Sequence, residues 1–196
     1  MKGAAVFVDR DGVINELVVD PASGRRESPL TVPEVALIDG TADALRRLSR
    51  AGWRLIGVSN QPAAAKGIVP LPEIEAVQER VIELLSDEGV HFDDFRLCLH
   101  HPDGVVPELA GRCDCRKPAP GMLLAAADAF DVDLAACWMI GDTDADILAG
   151  RSAGCRTVRV EHPGSAHKRS GAAPPDNTAD SLATAADLVL CPEGVN

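Results

Sequence analysis

Short apolar runs alternate along this chain with longer segments whose apolar residues recur every three or four positions. The short runs predict β-strands at residues 4–9, 54–59, 95–100, 137–141, 156–160 and 187–190. The longer segments predict helices at residues 41–51, 72–88, 120–130 and 144–153. Strands that alternate with helices are typical of βαβ units and a parallel sheet. The pattern therefore predicts an α/β fold, a three-layer α/β/α sandwich with a mainly parallel, Rossmann-like sheet.

The size and composition of the chain favour one globular domain over residues 1–196. Hydrophobic residues make up 46% of the chain and charged residues 25%, which is ordinary for a globular domain. No apolar run approaches the roughly 20 residues of a membrane helix, and the first residues lack the basic and apolar regions of a signal peptide. We therefore expect a cytoplasmic protein that has no membrane partner. Residues 162–177, rich in Gly, Pro and Ser, predict an exposed loop.

The formal net charge of −11 restricts the classes of ligand that this protein can bind. An acidic surface repels nucleic-acid phosphates, and no basic stripe offsets it, so we expect no nucleic-acid partner. An acidic protein can still bind a small anion where a metal ion and a few cationic side chains gather in one cleft. The acidity is also explained by solubility alone.

Paired carboxylates follow the first predicted strand. The strand ends at Asp9, and Asp11 comes two residues later, before the turn residue Gly12. Two carboxylates this close repel each other unless a cation or a shared proton offsets the repulsion, and Mg²⁺ bound through one or two carboxylates is a natural solution. The alternative is an ordinary polar strand-to-turn junction.

Three other predicted strands or helices border polar residues of the same kind. Ser59 and Asn60 end the second strand, where the hydroxyl and backbone N–H groups could hold a phosphate oxygen or could cap a turn. Lys117 precedes a helix that starts with proline, where a cation can neutralise phosphate or can simply be solvated. Asp142 follows a buried strand and could complete a metal site. Asp146 is a weaker candidate because it also suits the first turn of the next helix.

These segments, V-F-V-D-R-D-G, S-N-Q, R-K-P and G-D-T-D, resemble in order the four sequence motifs of the haloacid dehalogenase superfamily of phosphatases, over residues 4–154. The resemblance implies that Asp9 is the nucleophile and Asp11 the general acid and base. It implies that Ser59 and Lys117 hold the transferring phosphoryl group. It also implies that Asp142, Asp9 and the backbone carbonyl of Asp11 bind Mg²⁺. The short spacing between the first two motifs leaves no room for a cap domain there.

Four potential metal ligands cluster at residues 98–115. Cys98 and His100 form C-x-H, and after twelve residues Cys113 and Cys115 form C-x-C. Three thiolates and one imidazole complete a tetrahedral zinc site, which would be structural because it keeps no open position. Unligated cysteines on a loop are the alternative. Arg116 follows at once and is a candidate for substrate recognition, because its planar guanidinium suits phosphate or hydroxyl pairs.

The zinc-loop segment resembles one small branch of the superfamily, which acts on heptose 1,7-bisphosphate or on histidinol phosphate. The long spacing between His100 and Cys113 is similar to the heptose enzymes, so the resemblance implies hydrolysis of a sugar bisphosphate at the 7-position. Separately, we expect a monomer. Thr143 departs from that pattern, because lysine often stands there, and so does the polar stretch at residues 21–28. A histidinol-phosphate phosphatase is the alternative enzyme. A non-catalytic, zinc-stabilised binding module is the alternative of another class.

Overall fold

The computed structural model describes residues 3–21, 23–171 and 174–191 and confirms the α/β fold. Six parallel strands form one sheet in the order β5-β4-β1-β6-β7-β8. These strands are β1 (Ala5–Val8), β4 (Arg54–Asn60), β5 (Asp94–Cys98), β6 (Trp138–Gly141), β7 (Arg156–Val160) and β8 (Asn177–Ala179). Five α-helices are described: α1 (Thr41–Arg50), α2 (Leu71–Asp87), α3 (Gly121–Phe130), α4 (Asp144–Ala153) and α5 (Leu182–Leu190). The predicted boundaries of the shared elements differ from these by no more than two residues.

The central strand β1 carries the first motif into the middle of the sheet. It pairs with β4 on one side, where Phe7 lies opposite Ile56, and with β6 on the other, where Phe7 lies opposite Met139. The chain builds outward from β1 through β4 to β5 and then returns to β6, so the strand order reverses at β1. Open α/β sheets bind ligands beyond the carboxyl ends of the strands at such a reversal. The residues just after β1 therefore occupy the expected position for a site.

Alternate residues of β1 pack into different layers, which makes the sandwich three layers deep. Val6 and Val8 join a core formed with α1, α2 and α5. Ala5 and Phe7 join the opposite core, formed with α3 and α4. All four side chains are fully buried. This double burial explains why the strand is apolar throughout instead of alternating.

The strand predicted at residues 187–190 is wrong, because this segment is the last turn of α5. The Ser181 hydroxyl accepts a hydrogen bond from the Thr184 N–H at 3.2 Å and caps the helix. Leu182, Ala185 and Val189 are buried at helical spacing. A four-residue apolar run cannot by itself distinguish a strand from a buried helix turn. The sixth strand is instead β8, which pairs with β7.

Two small elements cover the carboxyl edge of the sheet. A hairpin joins β2 (Val18–Val19) to β3 (Arg26–Glu27), and a 3-10 helix at Pro163–Lys168 lies inside the segment predicted as a loop. The hairpin, another 3-10 helix at Val32–Glu34 and α1 are the regular elements among the described residues between β1 and β4, so no cap domain is found in them. None of the described helices is long and apolar enough to cross a membrane.

Candidate active site

A cleft of about 380 Å³ opens at the carboxyl ends of β1, β4 and β6. It is lined by all the residues that the sequence predicts outside the zinc loop: Asp9, Asp11, Ser59, Asn60, Arg116, Lys117 and Asp142. Asp9 and Asp142 come directly after adjacent parallel strands, which end at the same edge of the sheet. Residues 133 positions apart in the chain are therefore neighbours in this cleft.

Three carboxylates form a cluster at the base of the cleft. One oxygen each of Asp9, Asp142 and Asp146 lies within 4.8 Å of the others, which is close enough to share a metal ion. The three residues are 7%, 1% and 0% exposed. A Cβ at Gly12 would come within 2.2 Å of Asp142 Oδ2, and Gly12 has a φ of +82°, so only glycine fits this turn.

The electrostatics of this cluster suit a hard divalent cation. Burial raises the pKa of Asp9, and the negative charge of Asp146 adds to this effect, so that the pKa is about 6. Burial, and next the charge of Asp9, raise the pKa of Asp142 well above its ordinary value. Within the described residues, the buried Oδ1 of Asp142 has no hydrogen-bond partner. Because buried carboxylates are costly without a partner and Mg²⁺ prefers oxygen ligands, the residues present fit that ion.

Asp146 serves two purposes that the sequence offered as alternatives. Its Oδ2 accepts hydrogen bonds from the Thr143 N–H at 3.0 Å and from the Thr143 hydroxyl at 2.6 Å, which caps α4. Its Oδ1 faces the Lys117 ammonium at 2.6 Å. The helix cap thus fixes one carboxylate of this cluster.

Lys117 is anchored on several sides. Its Nζ lies 2.8 Å from Asp9 Oδ1 and donates to the Val58 carbonyl at 2.7 Å. Burial alone would lower the pKa of this lysine, but the charges of Asp146 and Asp9 outweigh it and raise the pKa. The Asn60 side-chain amide accepts from the Lys117 N–H at 3.1 Å and donates to its carbonyl at 2.9 Å. Asn60 therefore positions the Lys117 backbone through its side-chain amide, and its predicted contact with phosphate stays a prediction.

Asp11 lies next to the cluster of Asp9, Asp142 and Asp146, but its carboxylate is not part of it. It accepts from Arg10 Nε at 3.1 Å, from Asn15 Nδ2 at 3.0 Å and from Gln61 Nε2 at 2.5 Å. Burial would raise the pKa of Asp11, but the Arg10 guanidinium and these hydrogen bonds outweigh it and lower the pKa. The side chain of Asp11 is thus not a ligand in this arrangement, and its predicted metal contact through the backbone carbonyl stays a prediction.

The four predicted zinc ligands form a second cluster beside the cleft. The sulfur atoms of Cys98, Cys113 and Cys115 are 3.1–3.6 Å apart, and His100 Nδ1 lies 3.5 Å from Cys115 Sγ. For tetrahedral zinc with Zn–S bonds of about 2.3 Å, adjacent sulfur atoms would be about 3.8 Å apart. Burial, and next the neighbouring thiols, raise the pKa of Cys115. These four ligands could therefore hold zinc.

The zinc loop is connected to the cleft by its last residues. The Arg116 guanidinium donates to the His100 carbonyl at 3.3 Å, and the Gly121 N–H donates to the Asp114 carbonyl at 2.8 Å. A Cβ at Gly121 would lie 2.2 Å from that carbonyl oxygen, so the loop packs directly on the start of α3. Folding of the loop thus sets the positions of Arg116 and Lys117.

Several residues at the site were not predicted from the sequence. Arg10 is completely buried, and it donates to Gln78 on α2 as well as to Asp11. The other residues, which line the cleft, are Glu27, Ser28, Lys66 and Lys168. The sequence does give one indication for Arg10, because it lies between two motif aspartates, with which its charge can pair. The sequence gives no such indication for the residues of the hairpin and the 3-10 helix, because these elements reach the cleft only through tertiary packing.

Comparison with known proteins places this site in a family. A family model described as "HAD-hyrolase-like" matches residues 114–185. The chain is 36% identical over 179 residues to the D-glycero-beta-D-manno-heptose-1,7-bisphosphate 7-phosphatase of Yersinia pestis, covering 91% of each chain. It is 39% identical over 162 residues to the enzyme of that name from Escherichia coli K12, covering 81% of each.

A solved structure agrees with these sequence relatives. The D,D-heptose 1.7-bisphosphate phosphatase of B. bronchiseptica, complexed with magnesium and phosphate, superimposes with a TM-score of 0.79 at 28% identity. The match covers 96% of this chain and 98% of that one. Given 36–39% identity over most of both curated relatives, the chain belongs to the haloacid dehalogenase superfamily, in the branch that contains the heptose-1,7-bisphosphate 7-phosphatases.

Proposed function

We propose that this protein is a Mg²⁺-dependent phosphatase that converts D-glycero-beta-D-manno-heptose 1,7-bisphosphate into the 1-phosphate. The observation that carries the proposal is the meeting of Asp9, Lys117 and Asp142 in one cleft. The names of the curated relatives support the same activity and supply the substrate. The phosphate and magnesium bound to the B. bronchiseptica enzyme support the cofactor.

The reaction would proceed in two displacements. An oxygen of Asp9 attacks the phosphorus of the 7-phosphate, the bond to the sugar oxygen breaks, and Asp11 gives that oxygen a proton. A water molecule then attacks the phospho-aspartate and transfers a proton to Asp11, which releases phosphate and restores Asp9. Asp11 would have to leave Arg10 for the first proton transfer.

The remaining cleft residues would bind and orient the phosphoryl group. Ser59 and Lys117 would donate hydrogen bonds to its oxygens, and Arg116 would contact the sugar or its second phosphate. Asp9, Asp142 and the Asp11 carbonyl would hold Mg²⁺, with Asp146 as an additional ligand or neighbour. When bound, that ion supplies positive charge to the transferring group. Such preorganised charge provides most of the catalysis in phosphoryl transfer.

Zinc would be the structural metal of the loop at residues 98–115, held by Cys98, His100, Cys113 and Cys115. The ligand distances support it, and so does the coupling of the loop to Arg116. We further propose one catalytic domain over residues 1–196, acting as a monomer in the cytoplasm on a small phosphorylated sugar. Elemental analysis should find one equivalent of zinc, and its absence from purified protein would contradict this assignment.

Phosphate release from heptose 1,7-bisphosphate and from histidinol phosphate tests the substrate. We expect a higher kcat/KM for the heptose compound, and equal or higher efficiency on histidinol phosphate would overturn that choice. The variant Asp9→Asn tests the mechanism, because it removes the nucleophile. It should lower kcat by at least about 10³-fold. Activity at the wild-type rate would refute the phospho-aspartate pathway, and a folded protein inactive on every phosphate ester would favour a binding module.

A further inference from the structure

We propose that Lys168 binds the second phosphate of the sugar bisphosphate, and that Glu27 competes with this phosphate for the Lys168 ammonium group. The inference rests on the proposed function and concerns the substrate specificity of the same cleft. It assigns a role to the β2–β3 hairpin and to the 3-10 helix at Pro163–Lys168, which the two-step reaction does not use.

Lys168 and Glu27 are brought together only by the fold. They are 141 positions apart, at the end of the 3-10 helix and the end of β3, and both line the cleft that contains Asp9. Lys168 Nζ lies 2.6 Å from Glu27 Oε2. His167 Nε2 is 3.3 Å from the other oxygen of Glu27. The pair therefore lies at the cleft, on the side formed by the hairpin.

A second phosphate requires cations other than Lys117, and Lys168 would share this role with Arg116, which also lines the cleft. The Lys117 ammonium already contacts Asp9, Asp146 and the Val58 carbonyl, so it serves the transferring group. The residue after Asp142 is Thr143, an uncharged side chain whose hydroxyl donates to Asp146. Apart from Lys117, the lysine and arginine residues that line the cleft are Lys66, Arg116 and Lys168, and Lys168 is the one paired with the hairpin residue Glu27. In a chain of net charge −11, a lysine in this position is a specific attraction for an anion.

The carboxylate of Glu27 should repel the phosphate that Lys168 attracts. The Lys168 side chain is 32% exposed and that of Glu27 is 41% exposed, so both groups remain accessible to a ligand that enters the cleft. An ammonium group has three donors, and phosphate oxygens are stronger competitors for them than one carboxylate. A bisphosphate that takes over Lys168 must also tolerate the charge of Glu27. Removal of each partner should therefore change the affinity in opposite directions.

A purely structural ion pair would behave differently. If the pair only tied the hairpin to the 3-10 helix, loss of either partner would loosen the same contact and weaken binding in both cases. The sign of the Glu27 effect thus separates the two roles.

The experiment measures binding in the Asp9→Asn background, so that turnover does not interfere. Isothermal titration calorimetry is performed in the presence of Mg²⁺ with heptose 1,7-bisphosphate and with heptose 7-phosphate, which lacks the second phosphate. We expect Lys168→Met to raise the Kd for the bisphosphate by about 5-fold and the Kd for the monophosphate by less than about 2-fold. Glu27→Gln should lower the Kd for the bisphosphate by about 2-fold.

The matched controls are Arg80→Met and Glu83→Gln, which make the same changes of charge in an exposed ion pair on α2, where Arg80 Nη1 lies 3.1 Å from Glu83 Oε2. They should leave both Kd values within error. Equal effects of Lys168→Met on the two ligands, or a higher Kd for the bisphosphate in Glu27→Gln, would overturn the proposal. Failure of the proposed function would instead appear as no phosphate release by the unmodified protein, while sugar bisphosphate binding in these variants would still decide the role of Lys168.

Discussion

The carboxylate cleft and the Cys/His cluster, here called the zinc cluster, each have ligands that could hold a metal ion, but they are built in opposite ways. The cleft assembles Asp9, Lys117 and Asp142 from three distant segments that the sheet brings together. The zinc cluster takes all four of its ligands from residues 98–115. A change in strand order would destroy the first, whereas the second depends mainly on one loop. The active site therefore depends on the order of the strands, whereas the loop at residues 98–115 is a local structure that supports the active site from one side.

The two regions also differ in their electrostatics. In the cleft, burial raises the pKa values of Asp9 and Asp142, and the repulsion between neighbouring carboxylates adds to this effect. In the loop, burial raises the pKa values of the Cys98 and Cys115 thiols, whereas at Cys113 hydrogen bonds from its neighbours outweigh burial and lower the pKa. A metal ion would displace the remaining thiol protons. Removal of a cleft carboxylate should therefore raise the free energy of unfolding of the metal-free protein, because it removes a repulsive buried charge. Removal of a cysteine from the loop should lower the free energy of unfolding, because the loop loses a metal contact.

The largest effect is expected in the cleft, where loss of one carboxylate should lower activity but raise stability. Asp142→Asn should lower kcat/KM by about 10³-fold, because it removes a ligand of the proposed magnesium site. In metal-free protein at pH 7.5 it should raise the free energy of unfolding by about 1 kcal/mol, because a buried charge without a partner is lost. Steady-state kinetics and urea denaturation measure the two quantities. A parallel loss of both would contradict the comparison.

The next largest effect should come from the zinc loop, where one substitution should lower both stability and activity. Cys113→Ser should release zinc, lower the free energy of unfolding by about 3 kcal/mol and reduce activity, because Arg116 and Lys117 follow the loop directly. Cys191→Ser is the matched control, since Cys191 is exposed and lies outside the cluster. Metal content, melting temperature and kcat/KM should be the same in the control and in the wild type. An unchanged melting temperature in Cys113→Ser would refute the structural role.

A smaller effect should be seen in the cleft, where the stabilisation of the protein by Mg²⁺ should depend on pH. The pKa of Asp9 is raised in the folded protein to about 6, so its contribution to stability is complete below about pH 4 and is lost as the pH rises through 6. Mg²⁺ should therefore raise the melting temperature more at pH 7.5 than at pH 5. In Asp9→Asn this difference between the two pH values should shrink. Differential scanning fluorimetry with and without Mg²⁺ checks it, and an equal Mg²⁺ effect at both pH values would count against the assignment.

The smallest effect concerns the contact between β4 and the end of the zinc loop. Asn60→Ala removes both hydrogen bonds that hold the Lys117 backbone, so we expect kcat/KM to fall by about 10-fold with little change in zinc content. Asn60→Asp keeps the acceptor for the Lys117 N–H and should lose less activity. If Asn60→Ala also released zinc, the loop would depend on the cleft and the two regions would not be separable.

Much of the fold could be predicted from the sequence because its signals are local. Strands buried on both faces are continuously apolar, and α2 carries a stripe of Ile74, Val77 and Val81. The segment at residues 187–190 was misassigned because its burial pattern extends back to Leu182, beyond the four-residue window. The sequence predicts two of the three residues in the carboxylate cluster, Asp9 and Asp142. It indicates Asp146 only weakly, because a helix cap explains that residue equally well.

Local patterns in the chain are enough to identify the reactive side chains: those that follow each strand, and the three cysteines and one histidine within residues 98–115. Which of these side chains meet depends on the three-dimensional fold. It turned the Asp11 carboxylate toward Arg10, engaged the Asn60 amide with Lys117 and brought Lys168 beside Glu27. The physical reason is that motifs follow from short-range patterns of burial and turn geometry, whereas the partners of a buried charge depend on strand order and on the packing of distant segments.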